Sequence, residues 1–147
     1  MLKSKVIEEY LSTSEEKTKL FSKSFSKKLK KGDVVCFFGD LGSGKTTFIK
    51  GMLQSLNNTK EYHVTSPTFT YLNIYSGSID VYHFDLYRIQ NEKHFLDMGF
   101  YEYLLKDGIC LIEWAEKITP LIPSNAYMVH LLNTEEEKNR QIVVLET

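Results

Sequence analysis

The sequence predicts an α/β fold whose sheet mixes parallel and antiparallel strands, in one domain spanning residues 1–147. Three observations carry that reading. The short β-branched and aromatic run "VVCFF" (34–38) leads into "GDLGSGKTTF", after which apolar residues recur at helical spacing. The segments "TFTYLNIY" and "IDVYHFDLY" are separated only by Ser76-Gly77-Ser78 and read as a β-hairpin with a glycine turn. "ICLIEW" (109–114) is an almost unbroken apolar run, the pattern of a parallel strand covered on both faces.

In chain order, Ser12 or Thr13, each followed three residues later by Glu15 or Glu16, opens a capped helix. It is expected to run to about Lys30, to bury Phe21, Phe25 and Leu29, and to stop at Gly32. Its lysines (Lys23, Lys27, Lys28, Lys30, Lys31) read as a solvated face rather than a phosphate-facing patch, since glutamates open the same helix. "VVCFF" follows as a buried strand. After the glycine-rich loop, Phe48, Ile49, Met52, Leu53 and Leu56 form one apolar helical stripe. The aromatic hairpin comes next, then a helical stretch from about Asn91 to Lys106 broken near Gly99, then the 109–114 strand. "AYMVHLL" and "RQIVVLE" flank a charged turn and make a second hairpin.

Composition narrows the class. Apolar content of 42% and charged content of 25% are ordinary for a globular protein. A net charge of −1 gives no electrostatic reason for this chain alone to hold nucleic acid tightly. No apolar run approaches roughly 18 residues, so no membrane span is expected, and "MLKSKVIEEY" lacks a signal-peptide core. Cys36 and Cys110 each lie inside an apolar run and read as reduced, buried thiols of a cytoplasmic protein.

The chemistry is concentrated in the loop. Gly39-x-x-x-x-Gly44-Lys45-Thr46 fits the phosphate-binding pattern Gly-x4-Gly-Lys-Ser/Thr, in the strand–loop–helix setting that makes such a match credible. Successive backbone N–H groups of such a loop face an anion, and the helix that follows adds its partial positive end. Residues Gly39, Asp40, Leu41, Gly42, Ser43, Gly44, Lys45, Thr46 and Thr47 are therefore the candidate nucleotide cradle. Lys45 is expected to be an exposed point charge for the terminal phosphates, and the Thr46 hydroxyl a magnesium ligand. The implied fold is three-layered and P-loop NTPase-like, with a nucleotide and Mg2+ at the loop.

A site of this kind needs an acid at the end of a second buried strand, and Glu113 after "ICLI" has that placement. The other reading of Glu113 is a solvated strand end. Asp85, set among Phe84, Leu86 and Tyr87, is a third candidate, either acting on water or metal or simply pairing with Arg88. His83 is in phase with Asp85 but has no companion at metal-ligand spacing. "VTSPTFTY" (64–71) is either a proline-stiffened turn or a loop whose hydroxyls (Thr65, Ser66, Thr68) answer a γ-phosphate.

Taken in order and spacing, "GDLGSGKTTF", "SPTFTY", "YHFDLYR" and "ICLIEW" resemble the TsaE (YjeE) family of small bacterial P-loop ATPases, over nearly the whole chain from about Ser12. Ser43 stands where alanine is frequent in the family, and Phe69 where tyrosine is frequent. The resemblance implies a part in making N6-threonylcarbamoyladenosine at position 37 of tRNA. It also implies a TsaB–TsaD pair as partner, contact with tRNA only through that pair, and a feeble ATPase activity in isolation. It implies further that Lys45 and Thr46 bind phosphate and magnesium, that Glu113 serves the metal, and that Asp85 supports hydrolysis. Trp114 would lie near the nucleotide, and the Ser66-Pro67-Thr68 loop would respond to it. Two other readings are a small P-loop kinase and a switch module that senses ATP without hydrolysing it. A kinase ordinarily needs a lid of arginines, whereas this chain has only Arg88 and Arg140.

Overall fold

The computed structural model describes residues 4–40, 42–58, 60, 64, 67 and 69–147. Its elements are β1 (Lys5–Ser12), α1 (Glu15–Ser26), β2 (Val34–Phe38), α2 (Lys45–Asn57), β3 (Leu72–Tyr75), β4 (Val81–Asp85), α3 (Glu92–Asp97), β5 (Ile109–Glu113), β6 (Tyr127–Asn133) and β7 (Arg140–Glu146). Two 3-10 segments, Phe100–Leu105 and Ala115–Leu121, flank β5.

All seven strands form one sheet in the order β1-β7-β6-β2-β5-β4-β3. β6, β2, β5 and β4 run parallel to one another, while β3 is antiparallel to β4, and β7 to both β6 and β1. Alternation along the strands divides the core into two layers. Val35, Phe37, Leu111, Val129 and Ile142 face α1 and α2 through Phe25, Phe48, Ile49 and Met52. Cys36, Phe84, Cys110 and Ile112 face α3 and the two 3-10 segments through Phe95, Phe100, Leu104 and Ile118. This is the three-layer α/β arrangement with a mixed sheet that the sequence implied, and both expected hairpins are present.

The first element was not foreseen. β1 lies at the sheet edge against β7, and its register shifts between Val6 and Glu8. That irregularity breaks the alternation of two that announces a strand. Charged Lys5, Glu8 and Glu9 suit an open edge. Because β1 runs through Ser12, the helix cap moves forward. Ser14, not Ser12 or Thr13, accepts from the Lys17 N–H at 3.1 Å. α1 also ends earlier than expected, at Ser26. There the N–H groups of Lys27, Lys28 and Leu29 bond to the carbonyls of Ser24, Phe25 and Ser26, a tighter i→i−3 winding that turns the chain into β2. Phe25 is fully buried, while Phe21 and Leu29 pack at the border of the core. Lys27, Lys28, Lys30 and Lys31 are exposed. The stretch after Asn91 is helical only to Asp97, and beyond Gly99 (φ 78°) it rewinds as 3-10.

Cys36 and Cys110 are free and buried. Burial pushes both thiols up to about 12, and for Cys36 the nearby Cys110 adds to the effect. In the unfolded chain these groups ionise near pH 9. Between pH 9 and about 12 the folded form therefore holds protons that the unfolded form has released. Stability should be fully present below pH 9 and fall as pH rises through that window, by up to ~1.4 kcal/mol per pH unit for each thiol. Burial raises the Tyr82 and Tyr127 phenols as well, with the same sign. Denaturant melts from pH 7 to 11 should show the decline, and it should be shallower in Cys36→Ala/Cys110→Ala.

Candidate functional site

The parallel run of β2, β5 and β4 brings three strand ends to one edge of the sheet. Phe37 is in register with Glu113, and Glu113 with Asp85. Aligned residues on parallel strands share a face, so both carboxylates lie on the α2 side, level with the point where β2 passes into the glycine loop. Crevices at the carboxyl ends of parallel strands are the usual ligand positions of α/β sheets.

The loop leaves β2 at Gly39. A Cβ there would meet the Ser43 hydroxyl at 2.5 Å and the Leu131 carbonyl at 2.7 Å, so only glycine allows the loop to fold this closely over β6. Gly44, at φ 99°, is the N-cap of α2 and adopts a left-handed conformation that a side chain would strain. Asp40 is exposed, and its carbonyl accepts from the Ser43 N–H at 3.0 Å. The Ser43 hydroxyl is buried without a hydrogen-bond partner among the described residues, a polar group held ready inside the loop. Leu41 lies outside the described residues, as do Thr65, Ser66 and Thr68 of the expected responsive loop.

Lys45 is buried rather than exposed. Its Nζ donates to the Gly39 carbonyl at 2.7 Å and stands 4.9 Å from the centre of the Trp114 ring. The loop thus folds around its own cation. Trp114 has a left-handed backbone (φ 61°), uncommon for a bulky residue, and its ring packs against Tyr87 at 5.0 Å. Gly42, Ser43, Gly44, Lys45, Thr46 and Thr47 line a cleft of about 550 Å³. Asp85, Glu113 and Trp114 line the same cleft, as do Glu15 and Tyr87. Every described member of the predicted loop from Gly42 onward therefore meets both predicted acids in one cavity.

The acids are held differently. Asp85 is 6% exposed, and its Oδ1 accepts from the Tyr87 N–H at 3.1 Å. Its own N–H donates to the carbonyl of Tyr71, whose N–H in turn donates to Pro67. Arg88 lies over the ring of Phe69, 4.6 Å from its centre. Glu113 is 5% exposed and is no solvated strand end, since its Oε2 meets the Nε2 of buried His83 at 2.7 Å. His83 was in phase with Asp85 in the sequence, but only its lack of a companion at metal-ligand spacing stood out there. Arg140 was also missed; it reaches from β7 to donate to the Gly42 carbonyl at 2.9 Å.

The residues fit magnesium. That ion takes one or two protein oxygens and completes its shell with water and phosphate oxygens. The exposed Thr46 at the start of α2 and Glu113 across the cleft are suited to supply them.

Comparison with known proteins bears on the family and the fold. The sequence model of the family described as "Threonylcarbamoyl adenosine biosynthesis protein TsaE" matches residues 12–142. The chain belongs to the TsaE family. Its TsaE relatives include a protein of Bacillus subtilis, 41% identical over 115 residues that cover 78% of this chain and 70% of that one. A Treponema pallidum relative is 38% identical over 79% of this chain and 84% of its own. One in Haemophilus influenzae is 36% identical over 84% of this chain and 80% of its own. All three carry the name tRNA threonylcarbamoyladenosine biosynthesis protein TsaE. The crystal structure of Bacillus subtilis YdiB superposes with a TM-score of 0.77 at 31% identity, covering 99% of this chain and 87% of that one. The TsaE sheet described above, with its P-loop NTPase-like architecture, is therefore shared with a solved structure.

Gly39→Ala tests the close approach of loop and sheet. Overpacking against a backbone carbonyl costs about 1–3 kcal/mol, so the melting temperature should fall by several degrees. An unchanged melting temperature would show that the loop has room to spare.

Proposed function

We propose that this chain binds and weakly hydrolyses Mg·ATP, and that it uses the cycle to drive turnover of a TsaB–TsaD pair forming N6-threonylcarbamoyladenosine at position 37 of tRNA. The observation that carries the reading is the meeting of Lys45, Asp85 and Glu113 in one cleft with the glycine loop. The family membership and the names of its relatives supply the pathway. The cytoplasm, where tRNA is modified, is the proposed location. No helix among the described residues is long and apolar enough to cross a membrane.

In this reading the Lys45 ammonium leaves the Gly39 carbonyl for the terminal phosphates, and the N–H groups at the start of α2 hold their oxygens. Thr46 and Glu113 would hold Mg2+, which neutralises charge on the phosphate oxygens. Asp85, anchored by the Tyr87 N–H, faces the same space and orients the attacking water. The Pro67–Tyr71–Asp85 chain of backbone bonds offers a path from the 64–71 loop to that acid. Thr65, Ser66 and Thr68 are its proposed γ-phosphate contacts.

Arginine placement weighs against the kinase reading. The Arg140 guanidinium is engaged with the carbonyls of Gly42, Glu137 and Asn139, while Arg88 is stacked on Phe69. A switch that never hydrolyses has no specific observation in its favour, because both acids are positioned.

Two substitutions separate binding from turnover. Lys45→Met keeps most of the buried volume and removes the charge. Calorimetry should show Mg·ATP affinity down by ~10²-fold or more, the scale of a lost charge-assisted phosphate contact, in a protein that still melts cooperatively. Asp85→Asn should keep nucleotide affinity and lose hydrolysis by ~10²-fold or more. If Asp85→Asn instead unfolds early with its rate intact, the acid is structural.

The pathway is tested by reconstitution with TsaB–TsaD, threonylcarbamoyl-adenylate and tRNA. Multiple turnover should require this chain and fail with Asp85→Asn or Glu113→Gln. Equal turnover with the chain present, absent or mutated would overturn the reading, and phosphate transfer to a small acceptor would favour a kinase.

A further inference from the structure

His83 and Glu113 form a buried pair on neighbouring strands that the proposed chemistry has not yet used. Glu113 is in register with Asp85, while His83 is in register with Leu111. The Glu113 carboxylate therefore reaches back along the sheet, away from its level partner, to meet His83 at 2.7 Å. Both side chains are more than nine-tenths buried, at 2% exposure for His83 and 7% for Glu113. The His83 Nδ1 is also buried and has no hydrogen-bond partner among the described residues.

The contact constrains the roles of the two ring nitrogens. A proton on Nδ1 alone would leave the Nε2 lone pair facing a carboxylate oxygen at 2.7 Å, which is repulsive. With Glu113 ionised as a metal-holding carboxylate must be, the proton sits on Nε2 and is donated to Glu113 Oε2. One oxygen of the acid is thereby tied down, and its side-chain torsions are fixed. The other, Oε1, remains for whatever enters the cleft that Glu113 lines.

We infer that His83 is a positioning residue. It holds Glu113 in the one orientation that serves a divalent cation beside Thr46, and it keeps that carboxylate apart from Asp85. The same logic governs metal sites generally, where a hydrogen bond behind a ligand sets its direction and its loss costs about 10–100-fold in metal affinity or activity. Asp85 has its own donor in the Tyr87 N–H, so two acids at one register are given separate anchors and separate tasks. The inference rests on the Mg·ATP reading above.

The test compares wild type with His83→Leu, which removes the donor, and His83→Gln, which restores an N–H donor. Metal binding is read from Mn2+ titration followed by electron paramagnetic resonance in the presence of ATP. Nucleotide binding without metal is read by calorimetry in EDTA, and folding by thermal melts. His83→Leu should weaken Mn2+ binding by ~10-fold or more, with metal-free nucleotide affinity within about 2-fold of wild type. His83→Gln should recover most of the loss, and it keeps the test alive should the leucine variant fold poorly. Unchanged Mn2+ affinity in both variants, with only the melting temperature lowered, would overturn the inference and leave His83 a structural partner. A wild type that binds ATP with no metal dependence would overturn both the inference and the Mg·ATP reading. Wild-type binding with an indifferent His83 overturns the inference alone.

Discussion

The structure depends on one constraint: two carboxylates placed side by side, on adjacent parallel strands, in surroundings almost closed to water. Asp85 and Glu113 share a register and a face, and each is about 5% exposed. Ionised groups in such a position need donors or counter-charges. The neighbourhood supplies them piece by piece: His83 Nε2 for one, the Tyr87 N–H for the other, and the Lys45 ammonium in the same cleft. The glycine loop exists in this form because Lys45 must come back over it to reach that cleft. Among the described residues its hydrogen-bond partner is a backbone carbonyl, beside the Trp114 ring. A neutral carbonyl is a weaker match for an ammonium than an anion would be.

Strain is gathered at the same place. Among the described non-glycine residues with positive φ, Trp114 follows Glu113 directly, and the Tyr71 carbonyl accepts from the Asp85 N–H. Left-handed backbone at residues of this size costs of order 1–3 kcal/mol and persists only where the surroundings dictate it. Here the surroundings are the strand ends themselves. Glu113 also accepts, through its carbonyl, from the Leu86 N–H at 3.1 Å, so the chain segments just beyond β4 and β5 are cross-tied.

Much of this was legible in the residues. The loop pattern, the strand before it and the apolar stripe after it follow from local chemistry, and each was found where expected. Glu113 and Asp85 stood out because an acid in an apolar run demands an explanation. Lys45 was misjudged as exposed, since a sequence does not show that a loop will curl around its own lysine. β1 escaped because its bulge erased the strand period, and its loss in turn displaced the cap of α1. His83 and Arg140 escaped for a different reason. Their partners, Glu113 and Gly42, are reached only through the pairing of β4 with β5 and through the return of β7 past the loop, and no local pattern encodes either meeting.

The Arg140 contact gives an unremarkable surface turn an unusual position. The turn between β6 and β7, residues 134–139, is polar and exposed, the kind of segment that ordinarily accepts extra residues without complaint. Here Arg140 closes it. One guanidinium nitrogen bonds to Glu137 and Asn139 within the turn, and another to Gly42 in the glycine loop. Lengthening the turn by a residue would swing that side chain away from the loop it braces. Length variation among kindred proteins should accordingly gather in other surface connections, with this hairpin kept to a narrow range of sizes.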